Sequence, residues 1–281
     1  MSSTCYRHPD RTTGIVCARC GRPICPECMI PASVGFQCPE CVREGNASVR
    51  GLRRGSGLQA AGRRWGAVTL TIITINVAMF LVTAVSAALG GNSPLDNYLS
   101  PVFAELEQRP IFVYLGDWWR PVTAAFLHIG PVHLVLNMLA LLVFGSELER
   151  QLGRWRYLAL YLISVLGGAT AIQLFGDPGI PVAGASTGVY GLLGGLGVLM
   201  LVNRQDVRGL LTLLAINVFI SFLPGLSLLG HLGGLVAGAL AAGLLALTRR
   251  RQPLQGAALA SLGILLLAVT LTVPTIAVLN L

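Results

Sequence analysis

The sequence of 281 residues has no lysine, no cysteine after Cys41 and few charges of either sign. Only 11% of its residues are charged while 54% are hydrophobic, against roughly 25% charged in a soluble globular domain. That scarcity excludes a chain folded wholly in water, because the surplus apolar surface needs lipid to face. Without lysine, the net charge of +8 is carried by arginine alone. Such a balance can signal nucleic-acid binding, but the placement of the arginines fits membrane topology better. All seven cysteines fall within residues 5–41, which keeps thiol chemistry out of the apolar remainder, and their odd number argues against a closed set of disulfides. A secretory leader is not expected either, since about the first 60 residues are polar and cysteine-rich.

Residues 44–64 are rich in Gly, Ser and Arg without apolar periodicity, which predicts a flexible basic linker. From Trp65 onward, long apolar runs alternate with short polar breaks, and a membrane span needs about 20 such residues. Seven candidates result: 66–89, 122–146, 157–175, 184–203, 209–226, 229–248 and 255–279. The arginines sort onto one side of this arrangement. Arg50, Arg53, Arg54, Arg63 and Arg64 precede the first span, and Arg150, Arg154 and Arg156 follow the second. Arg204 and Arg208 follow the fourth, and Arg249, Arg250 and Arg251 the sixth. The opposite loops hold only Arg109 and Arg120. Basic residues concentrate on the cytosolic side of membranes, so the N-terminus is expected in the cytosol and the C-terminus outside, in a multi-pass protein of a bacterial plasma membrane. The long external loop 90–121, with Tyr98, Phe103, Phe112, Tyr114, Trp118 and Trp119, is expected to lie in the outer interface.

Polar residues inside the spans are few and expensive. Ser186 precedes Arg204 by 18 residues, and His231 precedes Arg249 by the same 18. At 1.5 Å per residue both side chains sit ~27 Å above the cytosolic charges, near the outer face of a hydrocarbon core of ~30 Å. Gly230, Gly234 and Gly238 recur every fourth residue and make a small-residue face that lets two backbones approach closely. Packed on the glycines of GASTGVYGLLG, that face would bring hydroxyl and imidazole into hydrogen-bond reach. A neutral imidazole can take the proton of an otherwise poor serine nucleophile. No Asp or Glu lies in spans four to six, so the expectation is a Ser186–His231 dyad without an acid, with Tyr190 stacked on the imidazole. In span two, His133 and Asn137 share one helix face and offer N–H donors of the kind that stabilise an oxyanion. Counted from Glu147, His133 falls about a turn below Ser186. Plainer readings exist for each residue. A membrane serine commonly bonds back to its own helix, and Asn137 alone would be interhelical glue. His128, His133 and His231 could form a transition-metal site, which the lack of an accompanying carboxylate or cysteine disfavours.

These motifs resemble the rhomboid family of intramembrane serine proteases, over roughly Gly116 to Gly243. GDWWRPVTAAFLHIGPVHLVLNMLALLVFGSELERQLG is similar to the family's Trp-Arg loop and its His-x4-His-x3-Asn helix, GASTGVYGLLG to its nucleophile motif, and GHLGGLVAGAL to its base helix. The resemblance implies a six-helix core at the first six spans, with the seventh appended. It implies Ser186 as nucleophile, His231 as general base, and His133 and Asn137 as oxyanion donors assisted by the Ser186 N–H. His128 would border a wet cavity, and Trp119, Arg120 and Glu149 would be structural or gating residues. The implied substrates are membrane-anchored proteins, cut near the outer face where their helices unwind. Thr187 departs from the family's pattern, in which glycine follows the serine, and is expected to narrow the space beside the oxyanion.

The N-terminal ligand spacing is Cys5-x2-His8-x8-Cys17-x2-Cys20-x4-Cys25-x2-Cys28-x9-Cys38-x2-Cys41. Four pairs with two-residue gaps supply ligands for two tetrahedral zinc sites. A reducing cytosol favours thiolate–metal bonds over disulfides, and so small a segment draws its folding energy from the metal. Two structural Zn2+ ions are expected and none for catalysis, because eight ligands fill both sites. Spacing alone permits sequential or interleaved pairing, and redox chemistry of a Cys-x-x-Cys pair is a further alternative. The segment resembles a B-box zinc finger. That implies interleaving, with Cys5, His8, Cys25 and Cys28 on one ion and Cys17, Cys20, Cys38 and Cys41 on the other. It also implies a cytosolic protein partner rather than nucleic acid.

The expected architecture is an all-α membrane protein: a zinc-binding domain at 1–43, the linker at 44–64, a six-helix core at 65–250 and an additional helix at 251–281. The expected function is an intramembrane serine endopeptidase. A catalytically silent membrane adaptor, recruiting partners through its zinc module, is the alternative; the presence of both serine and histidine weighs against it. A small-solute or metal transporter would need polar sites near the midplane, where spans three, five and seven offer little beyond Gln173 and Asn217.

Overall fold

The computed structural model describes residues 3–32, 34–53, 61–62, 64–222 and 226–273, with backbone alone at 47–53. Arg54, Arg63, linker residues 54–60, residues 223–225 of the fifth span and the C-terminus beyond 273, expected to be external, lie outside the described residues, as do the side chains of Arg50 and Arg53. The chain divides into two compact units, residues 1–60 and 61–281.

The first unit holds two small antiparallel hairpins, β1 (Ser3–Thr4) with β2 (Thr12–Thr13) and β3 (Ile30–Pro31) with β4 (Phe36–Gln37), followed by α1 (Pro39–Arg53). Pro39 suits a first helical position, where its missing N–H costs nothing. The helix continues through 44–53, so the described beginning of the expected linker is helical. The buried core of this unit is Ile24 and six of the cysteines, too little apolar surface to hold so short a segment folded unaided.

The second unit is a bundle of α2 (Ala67–Leu89), α3 (Gly130–Leu152), α4 (Arg154–Phe175), α5 (Ser186–Val202), α6 (Arg208–Ile220), α7 (Leu228–Leu247) and α8 (Gln252–Thr272). Helices α2, α3, α4, α7 and α8 are long and apolar enough to cross a membrane, while α5 and α6 are shorter apolar helices. This is a multi-pass membrane protein, a six-helix core with an appended C-terminal helix. Helices α4, α5 and α7 form its centre. There the backbones touch: a Cβ on Gly238 would run into the Gly191 carbonyl, and one on Gly234 into that of Thr187. Only glycine permits so close a crossing. Helix α8 packs on α4 through a Thr170–Thr270 hydroxyl contact of 2.7 Å and an Arg156–Gln255 hydrogen bond of 3.0 Å.

The second span begins later than its hydrophobicity suggests. Residues 120–126 form two short turns, the chain extends through Leu127, and α3 starts at Gly130 rather than at 122. Pro131 explains the shift, since a proline inside a helix would remove a hydrogen bond and clash with the preceding turn. His133 therefore falls in the first turn of α3, at the level where α5 begins. The fifth helix ends at Ile220, short of the expected 226.

The loop between α2 and α3 is ordered by buried polar contacts. Arg120 donates to the carbonyls of Ala104 (2.7 Å) and Glu107 (3.0 Å) and to Asp117 (2.7 Å) beneath the Phe112 ring, and Trp119 Nε1–H donates to Glu105 O. Tyr98, Tyr114 and Trp118 remain exposed. Glu149 is buried and accepts from the N–H groups of Val68 and Thr69 and from the Thr69 hydroxyl, capping the start of α2. Arg120, Trp119 and Glu149 thus hold backbone groups in place.

Candidate active site and cysteine clusters

The starts of α5 and α7 meet at a cavity of about 360 Å³, lined among others by Gln108, His133, Gly184, Ser186, Thr187 and His231. Ser186 opens α5, preceded by Gly184 at φ +141°. That backbone conformation favours glycine, and the space requires it as well: a Cβ on Gly184 would stand 2.8 Å from His133 Cε1 and 3.4 Å from Ser186 Oγ. The serine is half-buried and His231 buried. Ser186 Oγ lies 2.9 Å from His231 Nε2. Tyr190 lies parallel to the imidazole, with ring centroids 4.1 Å apart and 4° between planes.

On the far side of the imidazole, Nδ1 is 2.6 Å from Ser221 Oγ, and the Tyr190 hydroxyl is 2.7 Å from the same oxygen. Sequence reasoning did not find Ser221. At the end of an apolar helix it looks like any serine bonding back to its own helix, which it also does, to Asn217 O at 2.8 Å. The signal that could have found it is the missing acid, which leaves the Nδ1 side of His231 in need of a partner.

His133 lines the cavity. Its Nδ1 accepts from the Ile129 N–H at 3.4 Å, which leaves the ring proton on Nε2, toward Gly184. His128 is fully buried and meets His133 edge to face at 5.1 Å. Both its ring nitrogens lack hydrogen-bond partners among the described residues. Asn137 is not drawn to the cavity. It sits a turn further along α3, one amide N–H donated to His133 O at 2.9 Å. Thr187 finds room because it faces two glycines, Gly168 and Gly230. No hydrogen bond engages the Ser186 N–H among the described residues, as the first turn of a helix leads one to expect. A hydroxyl hydrogen-bonded to an imidazole, with free N–H donors opposite, has the parts needed for acyl transfer. His128, His133 and His231 are not among the described groups of side chains able to share a metal ion.

In the first unit, two groups of four side chains converge: Cys5, His8, Cys25 and Cys28, and Cys17, Cys20, Cys38 and Cys41, the ligand atoms of each lying within 4.8 Å of one another. The pairing is interleaved. Individual separations are 3.3 Å for Cys25 Sγ to His8 Nδ1, 3.5 Å for Cys28 Sγ to His8 Nδ1 and 3.8 Å for Cys20 Sγ to Cys38 Sγ. Thiolates bound to a tetrahedral zinc at ~2.3 Å stand about 3.8 Å apart, so both groups fit the ion. Burial raises the Cys5 thiol, but hydrogen bonds from the backbone of Arg7, Cys25 and His8 outweigh it and bring it down to about 6. Burial and the neighbouring thiols push Cys28 up to about 11 and Cys41 up to about 12. Such crowding of ionisable sulfurs is relieved by a cation at the centre. Among the described arginines here, Arg11 pairs with Glu27 and Arg22 with Glu40, each at 2.6 Å, and Arg19 donates to Cys41 O.

A family model described as Rhomboid domain matches residues 115–248. Over 187 residues the chain is 32% identical to Rhomboid protease GluP of Bacillus subtilis (strain 168), a match covering 64% of this chain and 35% of that protein. It is 33% identical over 208 residues to RHOMBOID-like protein 6, mitochondrial, of Arabidopsis thaliana, covering 62% of this chain and 67% of that one. Rhomboid protease AarA of Providencia stuartii is 27% identical over 206 residues, covering 62% and 70%.

Proposed function

Because this chain belongs to the rhomboid family, we propose that it is an intramembrane serine endopeptidase acting through Ser186 and His231. The observation that carries this reading is the 2.9 Å contact between Ser186 Oγ and His231 Nε2 at a cavity. In the first step, the Ser186 proton passes to Nε2 as Oγ bonds to the carbonyl carbon of the scissile peptide. The oxyanion so formed takes hydrogen bonds from the Ser186 N–H and His133 Nε2–H. Collapse breaks the C–N bond, and the imidazolium gives its proton to the leaving amine. Water, deprotonated by the same nitrogen, then releases the acyl group and restores the serine.

The substrates are transmembrane or membrane-anchored proteins cut near the outer face. At 1.5 Å per residue, the 17 residues of α5 span only ~25 Å of a ~30 Å hydrocarbon core. With its Arg204 end at the cytosolic face, Ser186 lies below the opposite one. A helical peptide bond is hydrogen-bonded and shielded, so a substrate that unwinds easily at that depth is favoured. The arginine distribution supports a cytosolic N-terminus and an external C-terminus. The first unit is a B-box-like module holding two structural Zn2+ ions, with Cys5, His8, Cys25 and Cys28 on one and Cys17, Cys20, Cys38 and Cys41 on the other. Each ion would fix the fold by joining two ligand pairs that are far apart in sequence. The arginines already engaged by acids and carbonyls argue for a protein partner over nucleic acid, and exposed Ile15, Val16 and Val34 offer apolar contact.

The test is cleavage of a single-span fluorogenic substrate by the purified, zinc-loaded protein in liposomes, with the cut mapped by mass spectrometry. Products cut near the external end of the span support the reading; no cleavage above that of Ser186→Ala across several substrates removes it. The oxyanion donors are expected to contribute unequally. His133→Ala should lower kcat by about 10²-fold, the usual loss of a direct donor, whereas Asn137→Ala should cost only about 10-fold because Asn137 acts through the α3 turn that carries His133. Equal losses would mean that Asn137 swings to the oxyanion itself.

A further inference from the structure

A base must present a bare nitrogen to its nucleophile, so His231 has to keep its ring proton on Nδ1, and something must hold it there. In a serine–histidine–acid arrangement a carboxylate does this. Among the described residues, no Asp or Glu meets this imidazole, whose Nδ1 faces Ser221 instead. Resting on the endopeptidase reading, we infer that Ser221 is a positioning residue that selects the Nδ1–H tautomer of His231.

Counting donors and acceptors leaves one consistent arrangement. Ser221 Oγ has three partners: His231 Nδ1 at 2.6 Å, the Tyr190 hydroxyl at 2.7 Å and the Asn217 carbonyl at 2.8 Å. A carbonyl only accepts, so the single Ser221 proton goes to Asn217, and the two remaining acceptor positions receive Tyr190 O–H and His231 Nδ1–H. Nε2 is then bare and 2.9 Å from Ser186 Oγ. The parallel Tyr190 ring blocks rotation of the imidazole out of this plane. Asn217 lies in the last turn of α6, at the negative end of the helix dipole. Its carbonyl polarises the Ser221 hydroxyl toward the side of the ring where positive charge develops during proton transfer. One short hydroxyl thus orients the ring and, through the helix end behind it, supplies part of the electrostatics of an acid.

A purely mechanical role is the rival account. None of the 13 residues of α6 is buried, whereas Ser221 just beyond it is, so its bonds could merely pin the helix end. The experiment that separates the two reads the tautomer directly. Full-length, zinc-loaded protein labelled with 15N-histidine is examined by NMR, with the His231 signals assigned by their loss in His231→Gln. Wild type is expected to show protonated Nδ1 and bare Nε2. Ser221→Ala should move most of the population to the Nε2–H form and lower kcat about 10–100-fold, with KM little changed, and Ser221→Thr should restore both. An unchanged tautomer in Ser221→Ala overturns the inference, whatever happens to activity or Tm. A tautomer that shifts as expected in a protein that cleaves nothing would leave the positioning role standing and remove the endopeptidase reading.

Discussion

Ser186→Ala is expected to lower kcat on a reconstituted transmembrane substrate by at least ~10⁴-fold, and His231→Ala by a similar factor. The magnitude follows from the way a nucleophile and its base act as a unit, where loss of either forfeits nearly all of the covalent route and leaves only binding and oxyanion stabilisation. The double variant should therefore be no worse than either single one. Multiplying losses would mean that the two residues act independently, which a 2.9 Å contact between them does not allow. Neither side chain takes part in the glycine crossings that hold α5 on α7. Helix content and Tm should therefore change little, so that lost cleavage reports chemistry rather than unfolding. A substrate KM near that of wild type in Ser186→Ala completes the expectation.

Zinc removal should have the second large effect, confined to the first unit. Structural zinc contributes ~10–16 kcal/mol in zinc-finger peptides, more than a core of one isoleucine and a few cysteines can replace. A strong chelator should therefore unfold residues 3–41, exposing them to proteolysis, while the bundle, held by a hydrophobic core of its own, melts as before. Metal analysis should give two zinc ions per chain. The interleaved ligand sets make a sharper prediction. Cys5→Ser with Cys28→Ser removes two ligands from one site, leaving one zinc bound. Under sequential pairing the same double change would damage both sites, and none would remain.

The meeting of Ser186 and His231 was legible because glycine spacing is a regular helix property, and Gly234 and Gly238 lie against the backbone of α5 as that spacing requires. The sequence placed the start of α3 too early because hydrophobicity continues from Val122, while the helix must wait for Pro131. Turn-by-turn counting from Glu147 placed His133 about a turn below Ser186, whereas its ring lies beside Gly184. Asn137 shares the face of His133 but turns its amide to the helix, a choice between two hydrogen bonds that spacing cannot make. Ser221 was invisible for a related reason. Its partner His231 is ten residues away across a helix boundary, and nothing periodic links them. The Cys/His pairs were legible as pairs, but their interleaving depends on how the chain folds back on itself, which spacing alone left open.

Covalent trapping would test the pairing of Ser186 with His231 most directly. Wild-type protein in liposomes is treated with a fluorophosphonate and digested, and the adduct is mapped by mass spectrometry. The account predicts a single active-site adduct on Ser186, formed by wild type and lost in His231→Ala although the hydroxyl remains. Labelling of another residue, or equal labelling of Ser186 with and without the imidazole, would contradict it.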